Sequence, residues 1–79
     1  MEEVLELTNG EFENFIKSGT VLIDFFAEWC MPCLMMAPVI EELSEKFRGK
    51  IKFGKVNVDD NQKLAQKFHV TSIPTFVLF

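Results

Sequence analysis

Val21-Leu22-Ile23-Asp24-Phe25-Phe26-Ala27 is a nearly continuous apolar run, broken once by a carboxylate. A run this short and continuous fits a strand covered on both faces, as in a parallel sheet. The segments around it alternate between strand and helix. Val4-Leu5-Glu6-Leu7 reads as a short strand. A helix follows over Asn9–Lys17, with Phe12, Phe15 and Ile16 on one face. Its start is marked by Thr8 and Glu11, spaced as a capping box, and by Leu7 and Phe12, spaced as a hydrophobic staple. Ser18-Gly19 stops it.

After the apolar strand the period changes to 3.6. Met36, Ile40, Leu43 and Phe47 form the inner stripe of a helix over Pro32–Phe47. Pro38 lies inside that stretch, where it removes one backbone bond and predicts a kink. Arg48-Gly49 ends the helix. Ile51–Val58 is the next strand. Asp59 is a candidate cap for a short helix over Asn61–Phe68, with Leu64, Ala65 and Phe68 inward. Phe76–Phe79 is a last apolar strand, entered through Ser72-Ile73-Pro74-Thr75. The order βαβαβαβ predicts an α/β fold. Its first three strands would be parallel, and its helices would cover both faces of the sheet.

Composition narrows the function. The chain has 79 residues, enough for one small domain spanning 1–79. Eight Lys and Arg against 12 Asp and Glu leave a net charge of −4, without the basic patch that nucleic-acid binders carry. No apolar stretch approaches the roughly 18 residues of a membrane span. Met1-Glu2-Glu3 lacks the basic-then-apolar order of a signal peptide, so the expected location is cytoplasmic. Two cysteines are too few for a disulfide-stapled secreted scaffold.

Both cysteines lie in Trp29-Cys30-Met31-Pro32-Cys33, where the buried strand turns into the long helix. Residues three apart at a helix start are neighbours, and small shifts bring such a pair within disulfide range. The free N–H groups and positive dipole end of the first turn favour an anion. Cys30 is therefore expected to be the more acidic, attacking thiol. Cys33, one turn deeper, would be less exposed and would resolve the mixed disulfide. Pro32 fits the first turn, where a missing N–H costs nothing. A mononuclear zinc site would need four ligands. His69 is the single histidine, so one chain cannot supply a conventional cysteine/histidine set. A metal or iron–sulfur cluster shared by two chains is a separate reading.

Asp24 sits within the apolar strand, directly upstream of this turn. One reading is a strand-edge carboxylate facing solvent. The other is a buried carboxyl of raised pKa beneath the cysteines, taking the proton from Cys33 directly or through a water. Lys55 on the neighbouring strand is either its partner or an exposed lysine.

Together these residues resemble the thioredoxin family. The resemblance rests on Val21–Cys33 with W-C-x-P-C, on Ala37-Pro38, on Lys55-Val56-Asn57-Val58-Asp59 and on Ile73-Pro74-Thr75. It implies a thioredoxin-like mixed sheet and a thiol–disulfide oxidoreductase acting as a protein-disulfide reductase. Cys30 would be the nucleophile, Cys33 the resolving thiol and Asp24 the buried acid/base. Trp29 would shield the sulfurs and, with Met31, meet the partner protein. Pro74 would be a cis-proline facing the disulfide, and Ile73 would pair its backbone with an extended substrate segment. The resemblance implies no cofactor beyond the dithiol, protein disulfides as substrates and a thioredoxin reductase as electron source. An oxidising, disulfide-forming role is one alternative, and a binding or assembly module without turnover is another.

The sequence departs from the family pattern at Met31, where Gly is commonest, at Leu34, where many members carry Lys, and at Phe26, often Trp. The family's final strand and helix have no counterpart before Phe79. The resemblance therefore implies an uncovered apolar edge at Thr75–Phe79. Chain beyond Phe79, a dimer or a swapped partner would cover it.

Overall fold

The computed structural model describes residues 4–79, so Met1-Glu2-Glu3 lies outside the described residues. Four strands and three helices alternate along the chain: β1 (Val4–Glu6), α1 (Asn9–Ile16), β2 (Thr20–Phe26), α2 (Met31–Lys46), β3 (Ile51–Asn57), α3 (Gln62–Lys67) and β4 (Thr75–Leu78). Each expected element is present, with no end shifted by more than one residue. The sheet order is β1-β3-β2-β4. β1 and β2 both run parallel to β3, as the pattern predicts, while β4 runs antiparallel to β2. The sheet is therefore mixed, and the fold is a short thioredoxin-like one.

Alternation along the strands sends side chains to two cores. Val21, Ile23 and Phe25 of β2 join Phe12 of α1 and Leu64 of α3 on one face. Phe68 and Phe79 pack edge-to-face there, with ring centroids 5.2 Å apart. Leu22 of β2 joins Phe53 of β3, Val4, the α2 residues Ile40 and Leu43, and Phe47 at the C-cap of α2 on the other face. Helices thus cover both faces, and the residue between Leu22 and Phe26 on the α2 side is Asp24. Phe76 and Leu78 of β4 are exposed.

Local signals set the helix ends. Glu11 Oε1 accepts from Thr8 N–H at 3.0 Å, as the capping-box spacing predicts. α2 continues through Pro38 to Lys46. α3 corrects one expectation: its N-cap is Asn61, not Asp59. Its C-terminus closes through His69, at φ 58°, with His69 N–H on Gln66 O and Val70 N–H on Ala65 O. This is the Schellman pattern, built here without glycine.

Candidate active site

The turn from β2 to α2 places Cys30 at the helix N-cap, with extended φ and ψ of −87° and 107°. Cys30 N–H donates back to Ala27 O at 3.2 Å, and Cys30 O accepts Leu34 N–H at 3.1 Å. The Cys30 Sγ accepts the N–H of Cys33 at 3.2 Å. Sulfur thus occupies the place where a Ser, Thr or Asp oxygen usually satisfies the third amide of a helix. Pro32 lies in the first turn, where its absent N–H leaves nothing unsatisfied. Cys30 and Cys33 form a disulfide, with Cα atoms 5.2 Å apart. They pack with Ala27 against Phe26, Val58 and Ile73.

Both sulfur residues are almost wholly buried, Cys30 at 4% and Cys33 at 5% exposure. The expected difference in exposure is absent in the disulfide state, because the bond draws both sulfurs into one cluster. What separates them is surroundings. Cys33, and not Cys30, lines a cavity of about 160 Å³ beneath the turn. On reduction, the Cys30 sulfur would keep an amide donor and the positive end of α2, an environment that favours thiolate over thiol.

The same cavity is lined by Asp24, Lys55, Glu28 and Leu34. Asp24 is buried, which removes the solvent-facing reading. Burial raises its pKa to about 6, against a smaller opposing pull from the Lys55 ammonium. Lys55 pairs with Asp24 in the β2–β3 register, and its Nζ lies 5.6 Å from the centre of the Phe26 ring. A cavity of this size, mostly apolar but lined by a carboxyl and an ammonium, has room for water.

Trp29 stands at the rim, 71% exposed. Its Nε1–H donates to Asp59 Oδ2 at 2.8 Å. The pattern along the chain predicts Asp59 as a helix cap; its carboxylate instead bonds the indole at this rim. Asp59 was visible in the Lys55–Asp59 block, but nothing local marks a partner 30 residues away. Met31, Leu34 and Met35 are also exposed, so the surface beside the disulfide is apolar. The Ile73–Pro74 bond is cis, as the resemblance implied, and Ile73 packs against the cysteine cluster. Among the described residues no group of three His, Cys, Asp or Glu side chains is placed to hold a metal ion. No helix among them is long and apolar enough to cross a membrane.

Comparison with known proteins agrees with this geometry. The family model described as Thioredoxin matches residues 3–79. The chain is 48% identical over 80 aligned positions to a thioredoxin of Haemophilus influenzae, covering 99% of this chain and 75% of that protein. It is 47% identical over 73 positions to a thioredoxin of Chlamydia pneumoniae, covering 92% and 71%. A thioredoxin of Staphylococcus aureus is 43% identical over 76 positions, covering 96% and 73%.

Proposed function

Because the chain belongs to the thioredoxin family and is a thiol–disulfide oxidoreductase, we propose that it works as a reductase of disulfides in other proteins. The observation that carries this reading is the sulfur N-cap: Cys33 N–H on Cys30 Sγ at the head of α2.

In the reduced protein the Cys30 thiolate attacks one sulfur of a substrate disulfide. A Cys30–substrate bond forms, the substrate S–S bond breaks, and the departing sulfur leaves as a thiolate that takes a proton. Cys33 then gives its proton to the Asp24 carboxylate through the shared cavity and attacks Cys30 Sγ. The mixed disulfide breaks, the second substrate sulfur leaves as a thiolate that takes a proton from solvent, Asp24 returns its proton to solvent, and two electrons have passed to the substrate. The product is the Cys30–Cys33 disulfide seen here. Trp29, Met31 and the Ile73 backbone, beside cis-Pro74, would meet the substrate segment around its disulfide. Lys55 would tune Asp24. The chain would need no cofactor of its own. Its electrons would come from a reductase of the thioredoxin reductase class, and its workplace would be a reducing compartment such as the cytoplasm.

The test is reduction of a model protein disulfide, followed by thiol release. Loss of activity in Cys30→Ser, and accumulation of the mixed disulfide in Cys33→Ser, is the expected result. Intact dithiol protein that releases no thiol would refute the reductase reading and leave a binding module. A reduction potential near that of strong oxidants would point to disulfide formation instead.

A further inference from the structure

Asp59 reaches the Trp29 indole because the β3–α3 loop is held in one shape, and two buried asparagines hold it. Asn57 ends β3 at 5% exposure. Its Oδ1 accepts Asp59 N–H at 2.9 Å and Asp60 N–H at 3.4 Å, turning the chain back on itself. Asn61, also 5% exposed, uses both ends of its amide. Its Nδ2 donates to Asn57 O at 3.0 Å, and its Oδ1 accepts Asn9 N–H at 3.1 Å. Val58 N–H donates to Phe26 O at 2.8 Å. The loop is thereby pinned to β2, to β3 and to the first residue of α1.

A stability role alone would need less. Asn57 by itself makes the turn, through the local side-chain bonding that asparagine favours. α1 already begins with the Thr8–Glu11 pair. The additional reach of Asn61 across to α1 fixes the loop's position, not its turn. The group that benefits is the carboxylate at the loop's apex, which lies 2.8 Å from an indole next in sequence to the reactive cysteine.

We propose that Asn57 and Asn61 are positioning residues for the redox reaction: they set the loop so that Asp59 tethers Trp29 in the orientation that partner proteins meet. The inference rests on the reductase reading for its kinetics, and on the structure alone for the state of the indole. The two amides make a contrast that a general stability role would not. Asn57 acts in these contacts only as an acceptor, so Asn57→Asp keeps both bonds. Asn61 must also donate, so Asn61→Asp turns a carboxylate oxygen toward the Asn57 carbonyl.

The experiment measures kcat and KM on a protein disulfide, together with the fluorescence anisotropy of Trp29. Trp29 is the single tryptophan in a chain without tyrosine, so the signal is its own. Asn57→Asp should stay within about twofold of the parent protein in KM, while Asn57→Ala and Asn61→Asp raise KM about fivefold at unchanged kcat and lower the anisotropy. In an Asp59→Ala background, where the tether is gone, Asn61→Asp should raise KM no further. Effects that multiply in that background, or lowered stability with unchanged KM and anisotropy, would overturn the proposal. Should Asn61→Asp fail to fold, Asn9→Pro deletes the N–H that Asn61 accepts at a helix position where proline is favoured. It should lower the anisotropy in the same direction, and an unchanged indole would overturn the role of Asn61. If the parent protein reduces no disulfide, the reductase reading fails by itself, and the anisotropy series decides the tether.

Discussion

Asp24 and Lys55 stand opposite each other in the parallel β2–β3 ladder, and Asp24 Oδ1 is buried with no hydrogen-bond partner among the described residues. The carboxyl is therefore held in a place where its ionised form is poorly solvated. Cys33 lines the same cavity, so in the proposed mechanism the cost falls where a proton would be taken up.

Replacing that carboxyl should stabilise the fold. In the unfolded chain Asp24 titrates near its ordinary 3.8, and in the folded protein at about 6. Between these values the folded state binds more protons, so stability falls as pH rises and then levels off above about 6. The loss, about 3 kcal/mol at most, should disappear in Asp24→Asn. Urea denaturation at pH 7.5 and at pH 3.5 checks this. The variant should be the more stable at the higher pH and close to the parent at the lower.

The same substitution should slow the second chemical step. In the proposed mechanism, resolution of the mixed disulfide uses ionised Asp24, so its rate should rise with pH through about 6 and then flatten. Asp24→Asn should lose that inflection and run about tenfold or more slower at neutral pH. Rapid-quench trapping of the mixed disulfide measures the step. An inflection that survives in the variant would place the proton acceptor elsewhere.

Gly54 shows how tightly β3 packs against α1. A Cβ there would stand 2.7 Å from Leu7 Cδ1, 3.0 Å from Phe15 Cε2 and 3.1 Å from Ile23 Cδ1. Leu7 and Ile23 are themselves buried, so neither can swing aside freely. Gly54→Ala should cost about 1–3 kcal/mol through overpacking. Thermal unfolding checks it, with the rate of disulfide reduction expected to hold at temperatures where the variant is folded.

His69 pays the opposite kind of cost. Its φ of 58° is left-handed, a region that disfavours residues with a Cβ. His69→Gly should keep the closing bonds of α3 and raise stability by about 0.5 kcal/mol, once the greater freedom of glycine in the unfolded chain is counted. A higher urea midpoint at unchanged slope is the expected reading.

Much of this architecture could be read from local pattern. The Val21–Ala27 run announced a strand covered on both faces, and Val21, Ile23 and Phe25 are fully buried. The Thr8–Glu11 spacing announced the start of α1. The strand-to-helix turn at Cys30–Cys33 announced a reactive sulfur pair, because a helix end always leaves amides to be satisfied. Other features could not be read this way. Asp59 looked like a cap, since an acidic residue before a helix is worth a capping bond in any short-range account. The carboxylate instead went to an indole, and Asn61 stands at the N-cap position with its amide turned to Asn9 N–H and Asn57 O. Equal burial of the two cysteines was equally out of reach, because it follows from the packing of Phe26, Val58 and Ile73 around the closed disulfide.

The sequence by itself determined the elements, their order and the identity of the reacting sulfurs. Those follow from interactions between residues a few positions apart, where hydrophobic period and helix-end chemistry act alone. The tertiary structure decided that β4 would run antiparallel beside β2, that Asp24 and Cys33 would share one cavity, and that Asn9, Asn61, Asn57, Asp59 and Trp29 would form a connected path. Each of these joins segments remote in the chain, and depends on how two cores pack against opposite faces of one sheet.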